Sequence, residues 1–173
     1  MEPLKHVTQA LTGVLAERDD EIMALECALI TSQHGVFLGP PGTGKTFMVD
    51  ALFRTLKDME LFTALLHPQM GVEQLLGVQR VKRMIEDDVV EFNTTHKLPE
   101  AEGVFLDEVW NFNWGGLVSL NDIMQKRQFL NGDQVQVCPL VSLFGASNFM
   151  PREEGLEAVW DRFLIRMVVE DIK

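Results

Sequence analysis

Cysteine is scarce in this chain: Cys27 and Cys138 are the only two in 173 residues, and neither belongs to a paired motif. Small buried thiols fit them better than a disulfide or a metal site. The four histidines, His6, His34, His67 and His96, have no ligand spacing and no nucleophile beside them, which argues against zinc and against a Cys/His catalytic pair. No apolar run approaches the roughly 20 residues of a membrane span. The opening segment MEPLKHVTQALTGVLAERDD lacks the basic start and small-residue cleavage site of a secretory signal. These absences make the cytoplasm the expected compartment, with no membrane contact. Positive charge is also short, 15 Lys and Arg against 26 Asp and Glu, for a net charge of −11. Such a field repels a phosphate backbone, so nucleic acid is not the expected partner. The one basic group, Arg80, Lys82 and Arg83, is followed directly by Glu86, Asp87 and Asp88. It reads as a solvated hairpin of mixed charge.

What remains is an ordinary soluble composition, 46% hydrophobic and 24% charged, of a length that suits one domain spanning 1–173. There is no internal repeat, low-complexity tract or linker. Apolar and helical segments alternate, which predicts α/β layers around a mostly parallel sheet. Residues 17–32 read as a helix with Ile22, Leu25 and Leu29 on one face, and 45–56 as a helix turning Met48, Leu52 and Phe53 inward. Strands are expected at 35–38, 61–66, 103–106, 140–146 and 164–169. Two hairpins interrupt the plan: 78–95 alternates around Asp87-Asp88, and 128–137 around Asn131-Gly132, a strong turn dipeptide.

The chemistry concentrates in two segments. Gly39, Pro40, Pro41, Gly42, Thr43, Gly44, Lys45 and Thr46 fit G-x-x-x-x-G-K-[ST] between an expected strand and an expected helix. Glycines let successive N–H groups face one anion, and the helix that follows adds its N-terminal partial charge. Lys45 would reach the β- and γ-phosphates of ATP, and the Thr46 hydroxyl would ligate Mg2+. The run VFLDE ends an apolar strand in two carboxylates, at the sheet edge where ligands of such sheets bind. Asp107 would hold the magnesium through its water shell, and Glu108 would polarise the attacking water. An acidic pair after a strand is commonplace alone; beside a phosphate-binding loop it reads as functional. Asn148 closes the strand before it and could touch the γ-phosphate or water, or equally cap a turn. Arg162, read alone, could be a surface ion pair.

With these motifs in place the chain resembles the AAA+ ATPases, specifically the MoxR family and within it the RavA-like ATPases. GPPGTGKT, LPEAEGVFLDEVW at 98–110 and GASNFMPREEGLEAVWDRFLIR at 145–166 carry the likeness. The resemblance implies a P-loop NTPase core with a five-stranded parallel sheet of order 5-1-4-3-2 between helices. It makes Asn148 the sensor-1 residue and Arg162 an arginine finger for a neighbour's ATP, with Arg166 a second candidate. It gives the 78–95 segment the place of a helix-2 insert and 128–137 that of a hairpin before sensor 1, elements that face the ring interior or the client in related proteins. Asn111 and Lys126 depart from the family's usual basic residue and glutamate. A family member would continue into a helical lid with a sensor-2 arginine. These 173 residues carry none, and an open adenine face with low basal turnover is expected.

The resemblance thus implies magnesium-dependent ATP hydrolysis by a ring-forming module, a hexamer by family expectation. Its role would be chaperone-like remodelling of protein clients beside a von Willebrand A domain protein. Two other functions compete. One is an ATP-dependent switch or assembly module with negligible turnover, and the other is a DNA-processing AAA+ motor, which the acidic charge disfavours.

Overall fold

A computed structural model describes residues 2–56, 58–151 and 156–171, without the side chains of 2–4 and 114. Residues 152–155 of the 145–166 stretch, and 172–173, lie outside the described residues. Along the chain, α1 (Glu2–Thr12) and α2 (Asp19–Thr31) precede β1 (His34–Leu38), α3 (Lys45–Thr55) and β2 (Leu61–Leu65). Then come α4 (Glu73–Leu76), β3 (Val78–Gln79), α5 (Val81–Asp87), β4 (Phe92–Asn93) and β5 (Gly103–Asp107). After α6 (Trp114–Lys126) follow β6 (Gln128–Asn131), β7 (Gln134–Val137), β8 (Ser142–Ser147), α7 (Glu157–Trp160) and β9 (Phe163–Val168).

Five strands form one sheet in the order β2-β5-β8-β1-β9, every neighbouring pair parallel. Numbered by appearance among these five, that is the expected 5-1-4-3-2. Residues alternate between faces along a strand, so the central strands split the core in two. Val36, Leu38, Val104, Leu106 and Leu143 pack with α4, α6 and α7 on one face. Phe37, Phe105, Phe144 and Ala146 pack with α1, α2 and α3 on the other. Phe144 stacks on Phe37 with centroids 6.4 Å apart and takes an edge contact from Phe53 at 6.2 Å. Met48, Leu52 and Phe53 of α3 are buried, as the helical spacing predicts, and Ile22 and Leu25 of α2 likewise. Among the described residues no helix is long and apolar enough to cross a membrane.

Three details correct the sequence reading. The 78–95 segment is not a hairpin turning at Asp87-Asp88. Only Val78–Asn93 and Gln79–Phe92 pair, and α5 fills the interval, capped at Asp88 in the left-handed conformation. Val81, Met84 and Ile85 lie at i, i+3 and i+4, a helical spacing that outweighs the apparent alternation. Its charges are mixed as expected: Arg83 pairs with Asp87 and with Glu91 at 2.9 Å, and Arg80 with Glu91 at 3.1 Å. The β6–β7 hairpin exists, but its loop is Gly132-Asp133, because Asn131 and Gln134 pair as the last rungs. Gly132, at the first loop position, carries the positive φ of 66°. The third correction is Cys27, which is exposed where a buried thiol was expected; Cys138 is buried, and burial pushes its thiol up to about 11.

The two inserted elements dock on each other. Asn131 accepts from Phe92 N at 2.7 Å and donates to Phe92 O at 3.0 Å, and Arg83 reaches Asp133 at 3.5 Å. Lys126, where a glutamate was the familiar residue, pairs with Asp122 one helical turn back at 2.8 Å.

Candidate nucleotide site

The 39–46 loop joins β1 to α3 at the carboxyl ends of the central strands, where parallel sheets of this kind bind ligands. Gly42 and Gly44 sit at φ of 89° and 85°, a region that L side chains avoid. Gly39 is needed for another reason: a Cβ there would collide with the Val169 carbonyl oxygen. Gly44 is the N-cap of α3, so the helix opens with its unpaired N–H groups and its positive dipole end at the loop.

Lys45, the first residue of α3, is 7% exposed. Its ammonium donates to Gly39 O at 2.7 Å, Pro40 O at 2.8 Å and Asn148 Oδ1 at 3.1 Å. Burial pulls its pKa below the usual lysine value, against the opposing charges of Glu108 and Asp107. Thr43 folds its hydroxyl back onto Pro40 O at 3.0 Å. Thr46 donates to Asp107 Oδ2 at 2.8 Å, joining the helix start to the end of β5.

Glu108 follows β5 in the left-handed conformation, φ 52° and ψ 44°. A glutamate held there is strained, and such residues cluster at functional sites. Its Oε1 accepts from Asn148 Nδ2 at 2.6 Å and its Oε2 from Asn111 Nδ2 at 3.3 Å. Burial, then the neighbouring Asp107 charge, raises the Glu108 carboxyl above the usual range, opposed by Lys45 and the Asn148 bond. Two strands and a loop thus bring together Lys45, Thr46, Asp107, Glu108 and Asn148. Beside Thr46 and Asp107 a pocket of about 310 Å³ is lined also by Asp50, Thr63 and Phe105.

Arg162 is not among them. It lies just before β9, and the His34–Phe163 pairing puts it beside the first residue of β1, at the opposite end of the sheet from the loop. It lines a pocket of about 230 Å³ with Gln33, His34, Arg127, Asp161 and Leu164. Its Nε is buried without a hydrogen-bond partner among the described residues. Arg166, the second candidate, is committed locally: it donates to Phe163 O at 2.8 Å and Trp160 O at 3.1 Å and lies 4.4 Å over the Trp160 ring.

The contacts of two residues went unread in the sequence. His34 accepts from Leu143 N through Nδ1 at 2.9 Å, so Nε2 holds the proton and donates to Met124 O at 3.0 Å. Arg18 contacts the 39–46 loop, and its position offered a signal. A cation at the N-terminal cap of a helix opposes the helix dipole and needs compensating contacts.

The parallel sheet, the glycine loop opening a helix and the carboxylate pair define the class: the core of a P-loop nucleoside triphosphatase of AAA+ type. A family model described as the MoxR domain in MoxR-vWA-beta-propeller ternary systems matches residues 2–173. The chain belongs to the MoxR family of AAA+ ATPases. An uncharacterized protein of Methanocaldococcus jannaschii is 35% identical over 173 residues, which cover 100% of this chain and 45% of the relative. The chain therefore spans less than half the length of that relative. A crystal structure of an ATPase candidate from Cytophaga hutchinsonii shares the fold with a TM-score of 0.76 at 20% identity, over 99% of this chain and 52% of that one. NtrX from Brucella abortus in complex with ATP shares it at a TM-score of 0.65 and 14% identity, over 91% and 36%.

Proposed function

We propose that this chain binds magnesium-ATP in the 39–46 loop and hydrolyses it. The observation that carries the reading is the continuous hydrogen-bonded set Lys45–Asn148–Glu108, next to Thr46–Asp107, at the start of α3. The loop's backbone N–H groups and Lys45 bind the phosphates. Lys45 trades the Gly39 and Pro40 carbonyls for phosphate oxygens, so its buried charge stays paired. Glu108 accepts the proton of the attacking water, and a carboxyl raised above the ordinary range is the stronger base. Asn148 orients that water and the γ-phosphate. Thr46 and Asp107 offer hard oxygen ligands 2.8 Å apart, the donor type that suits magnesium. Thr46 and Asp107 would hold that ion, which would supply positive charge against the phosphates.

Family membership supports a wider role. The chain is the motor core of a ring-forming, chaperone-like remodeller of protein clients, working with a von Willebrand A domain partner in the cytoplasm. Arg162 is the finger that one protomer lends to its neighbour's site. Steady-state phosphate release, with and without magnesium, for wild type, Lys45→Ala and Glu108→Gln tests the catalytic reading. Release that ignores both substitutions would sink it.

A second reading, a switch that binds ATP with negligible turnover, has one observation in its favour: each Glu108 oxygen already accepts one hydrogen bond, from Asn148 and from Asn111. Under that reading wild type turns over no faster than Glu108→Gln while still binding ATP.

A further inference from the structure

Arg18 is nearly buried, 7% exposed, at the cap of α2, outside the strand-edge cluster described above. Its NH1 donates to Glu21 Oε1 at 2.8 Å. Its NH2 donates twice, to Thr43 O at 3.0 Å and to Glu170 O at 2.8 Å. One guanidinium nitrogen has two N–H bonds, so both are spent on backbone carbonyls from distant parts of the chain. One carbonyl belongs to the phosphate-binding loop and the other to the segment leaving β9.

The Thr43 contact has a consequence across the peptide plane. In a trans peptide the C=O of one residue and the N–H of the next point in opposite directions. Holding the Thr43 carbonyl toward Arg18 therefore turns the Gly44 N–H away from Arg18. Gly44 alone, at φ 85°, is free to swivel, because glycine has no side chain to penalise other conformations. A rotation of that peptide would replace a donor with a carbonyl oxygen, which repels phosphate. A charge-assisted bond at 3.0 Å opposes the rotation. The ion pair with Glu21, whose side chain is 11% exposed, keeps the guanidinium from leaving.

We propose that Arg18 is a positioning residue for phosphate binding: it clamps the Thr43–Gly44 peptide so that the Gly44 N–H faces the nucleotide, and ties that peptide to the exit of β9 through Glu170. The inference rests on the reading of the 39–46 loop as a nucleotide site. Preorganised donors bind an anion without first bearing the cost of ordering, so the clamp acts on affinity.

The test compares ADP affinity by calorimetry, together with melting curves and the Gly44 amide resonance, for wild type, Arg18→Met, Arg18→Lys and Glu21→Gln. Arg18→Met should weaken ADP binding about 10- to 100-fold, the scale of a hydrogen bond to a charged group. Its Gly44 amide should fail to make the shift that ADP produces in wild type. Arg18→Lys, which keeps a cation but not the two-carbonyl fork, should fall between. Glu21→Gln removes the charge from the same buried node but keeps an oxygen acceptor for NH1, so the guanidinium stays on the Thr43 carbonyl. It should lower the melting temperature and bind ADP as wild type does. ADP affinity within twofold of wild type in a folded Arg18→Met overturns the proposal; if that variant does not fold, the same result in Arg18→Lys overturns it. Equal losses in Glu21→Gln and Arg18→Lys overturn it too, since the node would then act through stability alone. A wild type that does not bind ADP overturns the loop reading itself, whereas binding that Lys45→Ala abolishes and Arg18 variants leave intact overturns only the clamp.

Discussion

Asn148 faces Lys45 with its oxygen and Glu108 with its nitrogen, at 3.1 Å and 2.6 Å. The chemistry of the neighbours fixes this orientation: an ammonium only donates and a carboxylate only accepts, so no flipped amide satisfies both. The side chain therefore links the loop lysine to the carboxylate that would serve as base. When Lys45 turns toward phosphate, its one bond to Asn148 Oδ1 is released, and the amide keeps only the Glu108 bond.

Asn148→Ala should consequently keep ATP affinity within a few-fold and slow single-turnover hydrolysis roughly 10²-fold, the scale for removing one preorganised donor. Asn148→Asp preserves shape and the Lys45 contact but sets two carboxylates against each other. It should not recover the rate. Rapid-quench hydrolysis at saturating ATP measures both, and a wild-type rate in Asn148→Asp would exclude the donor role.

Glu108→Gln keeps size and accepts the same Asn148 bond through one atom, yet cannot take a proton. The expected outcome is retained magnesium-ATP binding with hydrolysis slower by roughly 10²–10⁴-fold. Asp107→Ala should instead flatten the magnesium dependence of binding, because its partner Thr46 is left alone at the cation position. If Glu108→Gln turns over normally in a single-turnover assay, another group is the base.

The site was legible because its residue types are unusual at their spacing. Glycines at 39, 42 and 44, a lysine opening a helix and two carboxylates ending an apolar strand each need a special environment, and the structure supplies it. The strand order followed from the family resemblance, and the buried alternation of Val36, Phe37 and Leu38 agrees with it. The insert misled because Val89, Val90 and Phe92 extend the apolar run past α5, and short apolar runs do not distinguish helix from strand by periodicity. The helix α1 had no cap signal, and it packs inward through Val7 and Leu11, with Leu15 following just past its end. Long-range polar contacts were beyond reach: nothing local to Arg18 says that its partners are residues 43 and 170.

His34 offers a test of the fold at the base of the sheet. Burial holds its pKa down to about 4 from 6.5, the nearby Arg127 adding to the effect and the Met124 carbonyl opposing it. The neutral ring is the folded form, so the unfolded chain binds more protons between these two values. The contribution to stability is full above pH 6.5 and is lost as pH falls toward 4, amounting to about 3 kcal/mol. Urea melts at pH 7.5, 5.5 and 4.5 should show this loss in wild type. His34→Asn, which can still accept from Leu143 N, should lose less across the same window. Equal pH dependence in the two proteins would remove His34 as its source.

Arg162 gives the sharpest test of assembly. Five residues of β1 separate its end of the sheet from the phosphate-binding loop, which at about 3.3 Å per residue is roughly 15 Å. An arginine at that end cannot serve its own site, and its buried Nε has no acceptor among the described residues. A neighbouring protomer's nucleotide is the partner that the proposed ring supplies, with the guanidinium neutralising charge on the γ-phosphoryl group. Such a contact is head to tail, so it builds a ring or a filament and not a two-fold dimer. Arg162→Ala should bind ATP as wild type does and lose about 10³–10⁵ in rate, the scale of an arginine finger. Wild-type specific activity should rise with protein concentration. Mixing Arg162→Ala with Lys45→Ala should restore part of the activity, since one chain offers an intact site and the other an intact finger. Mixed chains that co-assemble, shown by sedimentation, and still fail to hydrolyse ATP would assign the arginine a structural role within its own protomer.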